Sequence, residues 1–178
     1  MSLHSEGTPD AVAFEQLVEE YGDRVYGIAL RITGSPADAE DAMQDAFLSA
    51  FRSWAGFRAE ASPTTWLYRI AVNAALQRVR SRRPIEYLSP EDEAEYVPDW
   101  SVDLVRAAGQ SELYAELERG IGLLPPDVRV AVVLRDVEGL STSEAAAAME
   151  MTEAAVKSRL HRGRALLRRF LQDYLAEG

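Results

Sequence analysis

Cysteine is missing from all 178 residues of this chain. That removes disulfides, thiolate metal sites and thiol-based redox sensing. Histidine is almost missing: His4 and His161 are too few and too far apart to suggest a metal centre. No apolar run approaches the ~20 residues of a membrane span, and the N-terminus lacks the apolar core of a secretory signal. On these grounds a soluble, cytoplasmic chain without membrane insertion is expected. The carboxylates of the first half have no histidine, lysine or glycine-rich loop beside them, so neither acid–base chemistry nor phosphate cradling is indicated. No catalytic residue, metal or cofactor is expected.

What the chain does have is apolar bulk and an uneven distribution of charge. Hydrophobic residues make up 47%, enough for a core in one domain or two small ones. The formal net charge is −10. Residues 1–83 and 112–178 each carry nine basic and eleven acidic side chains, whereas 84–111 set Arg106 against seven acids (Glu86, Glu91, Asp92, Glu93, Glu95, Asp99 and Asp103). That stretch contains Pro84, Pro90 and Pro98, shows no sustained period, and reads as an acidic linker, extended or disordered when free. It divides the chain into 1–83, a linker at 84–111, and 112–178. Against this background six of the nineteen basic residues (Lys157, Arg159, Arg162, Arg164, Arg168 and Arg169) fall within thirteen positions. Cations gathered on one element of an acidic protein point to a nucleic-acid surface confined to it.

The apolar periods are helical throughout. Phe14, Leu17, Val18, Tyr21, Val25, Ile28 and Ile32 predict a helix over 11–32, ended by Thr33-Gly34. Ser35 caps the next, with Pro36 in its first turn and a buried stripe of Ala39, Ala42, Met43, Ala46, Phe47, Ala50 and Phe51. Ser62-Pro63 opens a third, carrying Trp66, Leu67, Ile70, Ala71 and Ala74. Beyond the linker, a helix around Leu113, Leu117 and Ile121 stops at Pro125-Pro126. The following valine-rich run is ambiguous, but a lone strand has nothing to pair with, so it reads as helix. Ser141 and Glu144 form a capping box, and Thr152 caps a last helix with Val156, Leu160, Leu167, Phe170 and Leu171 inward. The fold class is therefore all-α: two small helical domains joined by an acidic linker.

Three clusters carry chemistry. From Leu140 to Phe170 the pattern is a helix-turn-helix: Ala146 is small where the helices cross, and Val156 faces inward on the second helix. That leaves Glu153, Ala154, Lys157, Ser158, His161 and Arg162 outward, suited to phosphates and base edges. The plainer alternative, cations favouring a helix C-terminus, suits Arg168 and Arg169 better. The turn residue is Glu150, where glycine or asparagine is commoner because the chain often passes through positive φ there. Its carboxylate faces DNA and weakens autonomous binding. Second, Trp66, Tyr68, Arg69 and Asn73 share a helix with Arg78, Arg80, Arg82 and Arg83. Aromatics among cations suit single-stranded nucleic acid, but a core tryptophan with dipole-favoured arginines explains the pattern equally well. Third, Asp38, Asp41 and Asp45 lie along one side of a helix, by default a solvated face.

Taken together, DAEDAMQDAFLSAF, TTWLYRIAVNAALQRVRSRR, LLPPDVRVAVVLRDVEGLSTSEAAAA and AAVKSRLHRGRALLRRFL strongly resemble bacterial sigma factors of the extracytoplasmic-function group. The resemblance covers roughly 11–83 and 112–171, in order; Gln77 departs from the aspartate or asparagine of many relatives. It implies a first domain that binds the β′ clamp helices of core RNA polymerase and the melted minus-ten strand. The second would meet the β flap and the minus-thirty-five duplex. Asp38, Asp41, Gln44, Asp45 and Phe47 then correspond to the polymerase surface. Phe57, Arg58, Ser62, Trp66, Arg69, Asn73 and Arg80 correspond to minus-ten contacts. Lys157, Ser158, His161 and Arg162 correspond to major-groove readers, with Arg159 bracing them or touching phosphate. The acidic linker would run near the RNA exit path. A monomer is expected when free, as is control by an anti-sigma protein, since nothing after Tyr174 provides a sensory extension. A stand-alone helix-turn-helix regulator is the alternative. It gives no reason for the first two segments to occur together.

Overall fold

The computed structural model describes residues 11–57, 62–82, 86–89 and 112–177. Within these the chain is helical, with no strand. α1 (Ala11–Thr33), α2 (Pro36–Ser53) and α3 (Pro63–Arg80) pack mutually as the first domain. α4 (Glu112–Leu123), α5 (Pro126–Val132), α6 (Thr142–Met149) and α7 (Glu153–Glu177) form the second. The linker reading at 84–111 lies outside the described residues except at 86–89, where the Leu88 amide donates to the Leu123 carbonyl (2.8 Å).

The starts obey local chemistry. Ser62 accepts from the Thr65 amide (3.1 Å), with Pro63 supplying a helical φ and no orphan donor. Ser141 accepts from the Glu144 amide (3.1 Å) while Glu144 accepts from the Ser141 amide (2.7 Å), a closed capping box. Thr152 accepts from the Ala155 amide (3.2 Å) and opens α7. The valine-rich run is helical, as read from sequence, but it ends in a wide π turn at Val133–Val137. That turn brings the Asp136 carboxylate to Arg164 on α7, at 2.6 and 2.9 Å.

Packing in the second domain depends on small residues where helices cross. A Cβ at Gly163 would stand 2.6 Å from Val132 Cγ2 and 2.9 Å from Val128 Cγ1, so α5 and α7 approach closely only because it is glycine. Small residues serve α6 likewise: Ala145, Ala146 and Ala148 are buried, and the slender helix lies between α3 and α7.

The two domains touch. α6 rests on α3, while α1 meets α4, α5 and the π turn. Arg129 of α5 is 2% exposed and donates to the carbonyls of Ile32, at the end of α1, and of Gly122 and Leu124 (2.8 and 2.9 Å). Burial lowers its pKa, the Tyr87 hydroxyl opposing that shift and Arg82 adding to it. Arg31 of α1 grips Glu118 of α4 with two guanidinium nitrogens, the shortest contact being 3.0 Å. Burial opposes that charge, but Glu118 outweighs it and the pKa rises.

Candidate functional site

On α2 the buried face consists of Ala39, Ala42, Ala46 and Ala50. The opposite side turns Asp41, Gln44, Asp45, Leu48 and Phe51 to solvent, and their spacing puts them in one stripe. Leu48 is 54% and Phe51 50% exposed. This corrects the sequence reading, which buried Phe51. The alanines seat α2 so close to its neighbours that the inward face is narrow. Phe51 therefore falls outside it, meeting Phe14 edge-on at 5.2 Å. Asp38 and Phe47 are half-buried. The acids are partly neutralised by α3 and the residues after it: Arg78 donates to Asp45 (2.7 Å) and stands 3.6 Å from Asp41, while Arg82 pairs with Asp38. The bond to Asp45 raises the Arg78 pKa.

α3 is enclosed on most sides. Trp66 is only 8% exposed, in an aromatic cluster with Phe57 (5.0 Å) and Trp54 (5.9 Å). Phe57 also stacks flat on Trp54, 6.0 Å between ring centroids. Tyr68 is buried with no partner in hydrogen-bond geometry at its hydroxyl, and burial raises its pKa. Arg24 of α1 lies beside it, its own pKa raised by that hydroxyl and by Glu138. A strip of Ser62, Asn73, Gln77 and Arg80 stays open. Arg69, on the same side, reaches across to the second domain, its Nε 3.7 Å from Glu150 Oε1. Arg58 lies outside the described residues.

The second domain presents a helix-turn-helix whose turn residue is left-handed. Glu150 sits at φ 54, ψ 44, the conformation for which glycine is favoured. Past it, Lys157, Ser158, His161 and Arg162 are all exposed, and among the described residues Lys157 and Arg162 have no ion pair. Arg159 turns back: its Nε is 3.3 Å from Asp127 of α5, short of hydrogen-bond geometry, and Nη1 donates to the Ala155 carbonyl (3.4 Å). That is a bracing position.

Sequence reasoning missed Leu48, whose signal was its spacing from Asp41, Gln44 and Asp45. It also missed Arg31, Arg129 and Arg164, whose partners lie far along the chain. Among the described residues no group of carboxylates or histidines could hold a metal ion, and no helix is long and apolar enough to cross a membrane.

Comparison with known proteins finds matches to both domains. Residues 17–85 match the family described as Sigma-70 region 2, and 114–167 match Sigma-70, region 4. The ECF RNA polymerase sigma factor SigE of Mycolicibacterium smegmatis is 37% identical over 168 residues, 93% of this chain but 64% of that protein's length. The RNA polymerase sigma-H factor of Pseudomonas aeruginosa is 34% identical over 175 residues, covering 94% of this chain and 91% of the relative. Among solved structures, CnrH in complex with the cytosolic domain of CnrY superposes with a TM-score of 0.68 at 26% identity, over 92% of this chain and 90% of that one. RpoE of Bartonella quintana, at 22% identity and TM-score 0.67, shares the fold.

Proposed function

The chain belongs to the RNA polymerase sigma factors of the extracytoplasmic-function group, and from that premise we propose how its surfaces divide the work of directing transcription initiation. The first domain, 1–83, docks on the clamp helices of β′ through the α2 stripe. Asp41, Gln44 and Asp45 supply polar contacts and Leu48 and Phe51 the apolar ones. The strip on α3 from Ser62 through Arg69 and Asn73 to Arg80 receives the melted minus-ten strand. Trp66 acts from within, holding Phe57 in position. The second domain, 112–178, meets the β flap and reads the minus-thirty-five duplex. Lys157, Ser158, His161 and Arg162 enter the major groove, and Arg159 braces the helix against α5. The acidic stretch 84–111 joins the two. The chain carries no catalytic activity of its own and works in the cytoplasm. A separate anti-sigma protein holds it in check, as RpoE of Bartonella quintana was solved in complex with the anti-sigma factor NepR.

The observation that carries this reading is the α2 stripe. Two large apolar side chains stand open beside a row of carboxylates, an arrangement that suits the edge of a protein interface better than an isolated helical bundle. The test is run-off transcription with purified core polymerase. The full chain should confer specific initiation, and the paired substitution Leu48→Ala, Phe51→Ala should weaken polymerase binding at least tenfold without loss of helix content. Core binding left unchanged by that pair would remove the assignment.

A further inference from the structure

The arginine–glutamate approaches between the domains share one polarity. Arg31 of α1 holds Glu118 of α4, Arg69 of α3 faces Glu150 of the helix-turn-helix turn, and Arg24 of α1 lies in the field of Glu138 after the π turn. The arginine comes from the first domain and the glutamate from the second in each. Arg129 completes the pattern in reverse, placing a cation on the carbonyl end of α1, where the helix dipole is negative. Average charge does not explain this, since 1–83 and 112–178 hold the same numbers of acids and bases.

Glu150 stands out among these partners. It occupies a left-handed position that glycine would fill without strain, so the turn itself gains nothing from a carboxylate there. The side chain is 59% exposed and aimed at Arg69. Arg69 lies on the same strip of α3 as Asn73 and Arg80, which remain open. We propose that the Glu150 carboxylate occupies Arg69 in place of a strand phosphate, so that the free chain closes its second domain over one end of the strand-binding strip. This rests on the assignment of α3 to the melted strand. A carboxylate and a phosphate oxygen offer arginine the same anionic acceptor, so single-stranded DNA and Glu150 compete for one guanidinium. The pair is half-exposed and a little long. An ion pair of that kind shifts an equilibrium by about two- to fivefold, which suits a latch that yields to DNA and to salt.

The test exploits the absence of cysteine from the chain. Nitroxide labels at introduced cysteines, Glu15→Cys on α1 and Asp173→Cys on α7, report the separation of the domains by pulsed electron resonance, with neither polymerase nor DNA present. Glu150→Gly relieves the left-handed backbone, and Glu150→Gln keeps the side-chain shape without its charge. Both should raise the ratio of open to closed populations about two- to fivefold at low salt, and the exchanged pair Arg69→Glu, Glu150→Arg should restore closure. Opening by Gly but not by Gln would show a backbone effect and overturn the latch, as would no opening by either. In the second arm, a fluorescent single-stranded 20-mer of mixed sequence is titrated at low salt. Glu150→Gln should bind it at least twofold more tightly than the unmodified chain; equal binding, or none by either, overturns the competition. If the distances shift while the DNA affinities stay equal, the latch stands and the assignment of α3 to the strand fails.

Discussion

α3 and α7 are the two helices in which the sequence concentrates cations, and the fold treats them oppositely. α7 begins with Lys157, His161 and Arg162 in solvent, while Arg159 and Arg164 turn back onto Asp127 and Asp136. α3 is enclosed, and its arginines are largely engaged: Arg78 with Asp45 and Asp41, Arg69 with Glu150, and just beyond its end Arg82 with Asp38. A cluster of arginines is therefore two kinds of residue. Those with carboxylate or carbonyl partners join elements, Arg69 being proposed to serve the strand as well; those left in solvent are the ones proposed to meet DNA. The distinction yields predictions of graded size.

The largest effect belongs to the most deeply placed cation. Arg129→Met removes a guanidinium that serves the carbonyls of Ile32, Gly122 and Leu124. It leaves these buried acceptors unsatisfied and should cost about 3 kcal/mol. Urea unfolding is expected to show that loss, with the domain contact weakening first. A loss under 1 kcal/mol would mean that a buried cation here is no more structural than an exposed one.

An open pair gives the opposite signature. Lys157→Ala with Arg162→Ala should leave unfolding within about 0.5 kcal/mol, because neither side chain has an ion-pair partner among the described residues. Initiation at a promoter that depends on its minus-thirty-five element should nonetheless fall about tenfold, through lost phosphate and base-edge contacts. Binding of core polymerase should be unaffected. If stability and initiation fell together, openness would not mark function.

The sequence reached the helices and the open face of α7 for a common physical reason: both are encoded locally. Ser62-Pro63, the Ser141/Glu144 box and Thr152 each act within a turn of the residues that reveal them. The left-handed turn at Glu150 was legible as well, from its place in the helix-turn-helix pattern. What escaped is long-range. Whether Phe51 is inward depends on how closely four alanines let α2 settle, which periodicity does not measure. The π turn at Val133–Val137 carries Asp136, whose partner Arg164 lies 28 positions away. Arg31 finds Glu118 from 87 positions away, and no spacing rule anticipates that. The α3 cluster stayed unresolved for the same reason: that Trp66 is buried while Asn73 and Arg80 stay open depends on how the helices pack.

A smaller effect is expected where paired residues also lie on the proposed docking face. Asp41→Ala with Gln44→Ala should reduce core-polymerase affinity several-fold, measured by competition against labelled unmodified chain. Stability should change little, since Asp41 is exposed and sits 3.6 Å from Arg78. Greater loss of stability than of affinity would place these residues with the structural class.

Asp45→Asn is the most discriminating of the small changes because it bears on a single contact. Asp45 is the better of the two partners of Arg78, at 2.7 Å against 3.6 Å for Asp41. Its amide variant keeps a hydrogen-bond acceptor and loses only the charge, while Asp41 remains to take up the guanidinium. Half-exposed pairs are worth about 0 to 1 kcal/mol, and a shared arginine lowers the loss further, so unfolding should move by less than about 0.5 kcal/mol. If Arg78 is held for structure alone, binding of a single-stranded 20-mer should not change when Asp45 loses its charge. Tighter binding would mean that Arg78, like Arg69, is a cation stored against a carboxylate, and the line between the two classes would run through α3 itself.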